Sequence, residues 1–109
     1  MALITGPTIA AGQSLSDAID FGQTKPFLII SPPDWTPANL TFQVSIDGTA
    51  FFGLHMFASA MRIVGCVPNT AYVLDQELWP KNVWMKFRSG TPESPVIQTA
   101  ARVFKVLTV

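Results

Sequence analysis

Between Trp35 and Leu54 the chain reads WTPANLTFQVSIDGTAFFGL. Leu40, Phe42, Val44 and Ile46 alternate with Thr41, Gln43 and Ser45, so a strand here turns apolar side chains to one face and polar ones to the other. Asp47-Gly48 follows directly, and Asp-Gly supplies the positive φ angles of a two-residue type I′ hairpin turn. Thr49–Leu54 is then the returning strand. A chain whose sharpest pattern is a hairpin is expected to be a β protein.

The flanking sequence reads the same way. Nine prolines and seven glycines leave no convincing amphipathic helix, and the segments between them are rich in Val, Ile, Phe, Thr and Trp, which suit pleated surfaces. Leu3–Ile9 can be a first strand broken near Gly6-Pro7. Gln13–Phe21 is a weaker one, with Leu15, Ile19 and Phe21 on one parity. Lys25–Ser31 (KPFLIIS) is apolar on both parities, the pattern of a strand covered on both faces. Gly53–Met61 fits a strand followed by a loop, although Phe51, Leu54, Ala58 and Met61 also keep helical spacing. Ala71–Leu74 is a short strand. In Val83–Ser89, Val83, Met85 and Phe87 face a core while Trp84, Lys86 and Arg88 face out. A turn-rich loop, Gly90–Pro95, leads towards a last strand, Ala101–Val109. Seven to nine short strands with frequent turns predict a single domain over residues 1–109, an antiparallel β-sandwich or jelly roll.

Composition narrows the function classes. Seven basic and seven acidic residues give a net charge of zero, where nucleic-acid binding calls for clustered cations. The uncharged run Gly48–Met61 is shorter than the roughly 20 residues of a membrane-spanning helix. MALITGPTIAAGQS lacks a basic n-region and meets Pro7 early, so no signal peptide is expected and the chain reads as made in the cytoplasm. Only 13% of residues are charged, against about 25% in soluble domains, and mean hydropathy is positive. A small domain with so little charge should have apolar surface left over for another subunit to cover.

Catalytic chemistry is thinly supplied. His55 is the sole histidine and Cys66 the sole cysteine, which rules out a multi-His metal site and an internal disulfide; no metal or cofactor is expected. Both read as structural, and IVGCVP around Cys66 offers no cation to lower a thiol pKa. Asp17 with Asp20, and Asp75 with Glu77, read as solvated loop carboxylates rather than acid–base pairs. Asp47 and Gly48 read as turn residues. The tryptophans Trp35, Trp79 and Trp84 are the remaining candidates: each can pack in the core, anchor a subunit contact, or offer a platform for a sugar. Trp84, on the polar parity of its strand, is the one expected outside the core.

SPPDWTPANLTFQVSIDGTAFF, followed by VWMKFRSGTPESPVIQTAARVFKVL, resembles a group of small tailed-bacteriophage structural proteins. Their pattern is similar to W-T-x-A-x-L-T-F-Q-x-S-x-D-G-x-x-F and, later, R-S-G-T-x-x-S-P-V-x-Q. The strand–Asp-Gly–strand element also resembles galactose-binding-like jelly rolls. The resemblance implies a non-enzymatic virion component, foremost a decoration or cement protein on the capsid exterior. Its implied partners are the major capsid protein or another virion protein, and further copies of itself, with a trimer as the guess. A neck, tail or fibre-base component, and a carbohydrate-binding module for host attachment, are the alternatives. The paired cysteines that often staple discoidin-type sugar binders are absent.

Overall fold

The computed structural model describes residues 1–56 and 59–109. Among these residues eleven strands follow in chain order: β1 (Ala2–Ile9), β2 (Ile19–Asp20), β3 (Pro26–Ile30), β4 (Ala38–Ser45), β5 (Phe52–Gly53), β6 (His55–Met56), β7 (Ser59–Ala60), β8 (Arg62–Cys66), β9 (Ala71–Val73), β10 (Trp84–Ser89) and β11 (Arg102–Thr108). Among the described residues there is no helix. One sheet has the order β1-β11-β3-β9; the other runs β2-β10-β4, with β5 and β8 sharing the far edge of β4. β6 and β7 form a small separate hairpin, and every pairing is antiparallel. The chain is an all-β sandwich, as its alternation predicts. The segments beyond the expected count are two-residue pieces.

The core lies between the sheets. Leu40, Phe42, Met85 and Phe87 from one sheet meet Ile9, Ile29, Phe104 and Val106 from the other, all buried. Through it runs a line of edge-to-face rings: Trp79 against Phe42 (4.7 Å), Phe42 against Phe87 (5.1 Å), Phe87 against Phe104 (5.2 Å) and Phe104 against Trp35 (5.3 Å). Such contacts contribute about 0.5–1.5 kcal/mol each beyond area burial. The Phe87–Phe104 contact crosses from sheet to sheet.

Three local readings need correction. The turn after β4 is wider than type I′: φ is positive at Gly48 (80°) but not at Asp47, and pairing resumes only at Phe52. Ile46 therefore leaves the strand and stands 83% exposed instead of joining Leu40 and Phe42 in the core. β8 appears where no strand was expected, because Gly65 (φ 62°) makes a bulge opposite Ala38–Leu40 that disguises the alternation. Of the 53–61 region, Gly53, His55–Met56 and Ser59–Ala60 belong to short strands, while Leu54 and Met61 do not; Ala58, one of the helical-spacing positions, lies outside the described residues.

Two sequence strings that lie far apart meet at the end of the sandwich where β10 leaves its sheet. Gln98 is buried, and its Oε1 accepts from Thr36 N (3.0 Å) and Arg102 Nε (2.9 Å). Its Nε2 donates to Thr36 O (3.1 Å) and Ser89 Oγ (2.8 Å). Gly90 N donates to Asn39 O (2.6 Å), and Thr41 Oγ1 donates to Gly90 O (2.8 Å). Gly90 also has φ 89°, and a Cβ there would fall 2.5 Å from Ser94 O and 2.7 Å from Val96 N. Gly90→Ala should then cost more than about 3 kcal/mol, combining left-handed strain with a backbone clash. Gly12→Ala, at φ 80° in open space, should cost only the backbone part, about 1–2 kcal/mol. Urea unfolding of the two variants checks this; equal losses would contradict it.

Candidate functional site

The candidate side chains are scattered by the fold. Trp35 (2% exposed) and Trp79 (7%) terminate the ring line inside the core. Trp35 Nε1 donates to Cys66 O at 3.0 Å, which satisfies its one polar atom. Neither ring is open to a sugar or partner on the single chain. Trp84 stays half-buried on the outer side of β10, where the loop after β4 folds over it: a Cβ on Gly48 would stand 3.2 Å from its indole. Lys86, next on that face, places Nζ 4.5 Å from the Phe51 ring centroid. Gly48 is thus required both for its φ and for its close approach to Trp84.

Titratable groups are placed for structure. Cys66 is fully buried, and desolvation pushes its thiol pKa up, away from the thiolate that a nucleophile needs. His55 is exposed on the β6–β7 hairpin, with Nδ1 3.3 Å from Gly53 O. Asp17 Oδ1 accepts from Thr8 N, Asp20 Oδ1 from Gly22 N and Asp75 Oδ1 from Glu77 N, so each ties down nearby chain. Among the described residues no group of three or more His, Cys, Asp or Glu could hold a metal ion. No helix of the described residues is long and apolar enough to cross a membrane.

No family model matches this chain. Nor does any curated protein or solved structure. The surface must therefore speak for the function.

Its most distinctive region is the outer face of the β1-β11-β3-β9 sheet. The registers Leu3↔Leu107, Leu107↔Leu28 and Leu28↔Val73 put four aliphatic side chains in one row across all four strands. Leu3 is 59% and Val73 72% exposed at the ends of the row, with Leu28 and Leu107 half-buried between them. Beside it on the same face run Thr5, Lys105, Ile30 and Ala71, paired in that order, and then Val103, which is exposed. Lys105 is the one charged side chain of these. KPFLIIS was expected to be covered on both faces; Ile29 is buried beneath the sheet, but the chain leaves Leu28 and Ile30 only partly covered above it.

Around the β9 edge the apolar surface turns into a groove of about 460 Å³, whose lining includes Val64, Val73, Leu78 and Met56, all well exposed. The termini belong to the same face: they are ordered by pairing β1 with β11 inside the chain. Sequence reasoning anticipated leftover apolar surface but not its place, because the row exists only once first, third, ninth and last strands are aligned. The one available signal was the double-parity apolar run of β3.

The turn at Asp47 generates a pH prediction. Its carboxylate accepts from Ala50 N (3.0 Å), Thr49 N (2.8 Å) and Ser45 Oγ (2.9 Å), and these bonds, Ala50 first, hold its pKa below the ordinary 3.8. A carboxyl whose pKa is lowered by folding stabilises the fold above its unfolded pKa and ceases to as pH falls through its folded one. Asp47→Asn should therefore melt below the parent at neutral pH, with the gap closing as pH drops beneath about 3.8. A gap independent of pH would contradict this origin.

Proposed function

We propose that this protein is a non-enzymatic structural subunit of a tailed-bacteriophage virion, a decoration or cement protein mounted on the capsid exterior against the major capsid protein. The observation that carries the reading is the aliphatic row across the four-stranded sheet, an apolar surface that the chain itself does not cover. Burial of such surface is the main driving force of association. The low charged fraction and the phage-like strings WTPANLTFQVSIDG and RSGTPESPVIQ support the same reading. In it the chain is made in the host cytoplasm and joins the particle by its apolar face, adding rigidity rather than chemistry.

The two strings also make structural sense of each other. Thr36, Asn39 and Thr41 from the first hydrogen-bond with Gln98 and Gly90 from the second. Their joint presence in one sequence therefore reflects a rigid scaffold. A sugar-binding reading has less to stand on, since burial removes Trp35 and Trp79 and leaves Trp84 beneath the Gly48 turn.

Co-sedimentation with empty heads of the parent phage tests the proposal. The protein should pellet with heads and raise their resistance to heat or chelator. Binding to complete particles but not to tailless heads would move the subunit to the neck or tail. Failure to bind either would overturn the virion reading.

A further inference from the structure

We infer that the free edge of β9 takes an extended segment of a partner chain, which adds a fifth strand to the β1-β11-β3-β9 sheet and lies in the groove between β9 and β8. This deepens the virion reading, whose partner protein would supply the segment.

Backbone hydrogen bonding selects an extended polypeptide. Ser31 N donates to Thr70 O and Leu74 N to Phe27 O, each at 2.9 Å, and Ile29 faces Tyr72 between them. Antiparallel alternation then turns Thr70, Tyr72 and Leu74 towards β3, and the N–H and C=O of Ala71 and Val73 point off the sheet. β9 ends the sheet, so among the described residues no strand meets those groups. A lipid chain or a flat apolar surface would leave them unmatched. Another strand matches them at the roughly 7 Å repeat of alternate residues.

The other edges of the two main sheets are guarded. β1 carries Pro7 and a register shift between Thr5 and Thr8, β2 and β5 are two residues long, and β8 is bulged at Gly65. Proline, brevity and bulges are ordinary protections of a sheet edge. From Thr70 to Leu74 the chain pairs with β3 without a proline, a bulge or a charge.

Beside that edge lies the space for a strand. The groove has buried Leu74 and Trp79 in its lining, with exposed Val64 and Leu78 about them. An added strand turns alternate side chains inward onto Leu74 and Trp79, so these are apolar. Its other side chains face outward, where the residue opposite Val73 continues the row that runs from Leu3 to Val73. Row and edge then meet the same partner side by side. Charge sets the ends of the segment. Asp75 and Arg62 line the same groove, so a cation beside Asp75 and an anion beside Arg62 complement both.

Titration of the isotope-labelled free protein with a synthetic peptide, followed by amide chemical shifts, tests this without any phage particle. The peptide is capped and alternates valine and threonine between a lysine at one end and a glutamate at the other. The amides of Ala71 and Val73 should shift together and saturate at millimolar peptide, while that of Leu74, bonded to Phe27 O, shifts far less. Val73→Pro removes an N–H that the sheet does not use and should weaken peptide binding about tenfold. Val73→Thr keeps the N–H and should bind as the parent does, with melting temperature as the check on both folds. Unmoved Ala71 and Val73 amides in the parent, or a folded Val73→Pro variant that binds as tightly, would overturn the inference. So would the same shifts arising without peptide as the mass doubles, which would give the edge to a second copy. Peptide binding by a protein that ignores heads would sink the virion reading and spare the edge; heads bound without any peptide shift would do the reverse.

Discussion

One buried amide ties the sandwich together. Gln98 spends both lone pairs and both N–H groups of its side chain on Thr36, Ser89 and Arg102. Its backbone adds Gly12 N to its carbonyl and Gln13 O to its N–H. Segments from the N-terminal loop, the entry to β4, the end of β10 and the start of β11 thus converge on a single residue. A buried amide is costly when unmatched, at about 1–3 kcal/mol per lost partner, and specific when fully matched. Here it is fully matched, and it sets where both sheets begin. The rings from Trp79 to Trp35 then lock into the space between.

That economy of construction explains the division of labour on the surface. Polar side chains are committed to holding loops: Ser45 and Asp47 shape the turn after β4, Ser31 ties to Val67 and Thr70, and Asn39 Oδ1 takes Gly65 N at the β8 bulge. Few are left converging on an open site. What the sandwich does leave open is an aliphatic sheet face whose central side chains are already half-ordered by their neighbours. Docking such a face costs little conformational entropy beyond the association itself. A rigid module with an apolar face and little charge is suited to being mounted, which is the sense of the reading proposed here.

Much of the fold was legible because it rests on local pattern. The alternation of β10 came through, with Val83, Met85 and Phe87 buried, and β4 kept Leu40 and Phe42 inside although not Ile46. The failures share a cause. Asp47-Gly48 looked like a two-residue turn, yet a carboxylate with three donors stabilises a longer loop that no dipeptide rule describes. β8 was hidden by a bulge at Gly65, where a positive φ breaks the period of two. The candidate surface was the least legible part. Leu3, Leu28, Val73 and Leu107 stand in line only through three long-range registers, and register between distant strands is not encoded in any short window. Trp35 and Trp79, the conspicuous residues in the sequence, proved to be the ends of the core's ring line.

The claim that the outer face of the β1-β11-β3-β9 sheet is the working surface can be tested most directly by hydroxyl-radical footprinting of the protein, free in dilute solution and mounted on its particle. Oxidation of Leu3, Leu28, Val73 and Leu107 should fall sharply on mounting, while Ile46 in the loop after β4 and Phe52 on β5, both exposed, keep their reactivity. Protection confined to Ile46, Phe52 and Trp84, with the aliphatic row still reactive, would contradict the account and move the working surface to the opposite side of the sandwich.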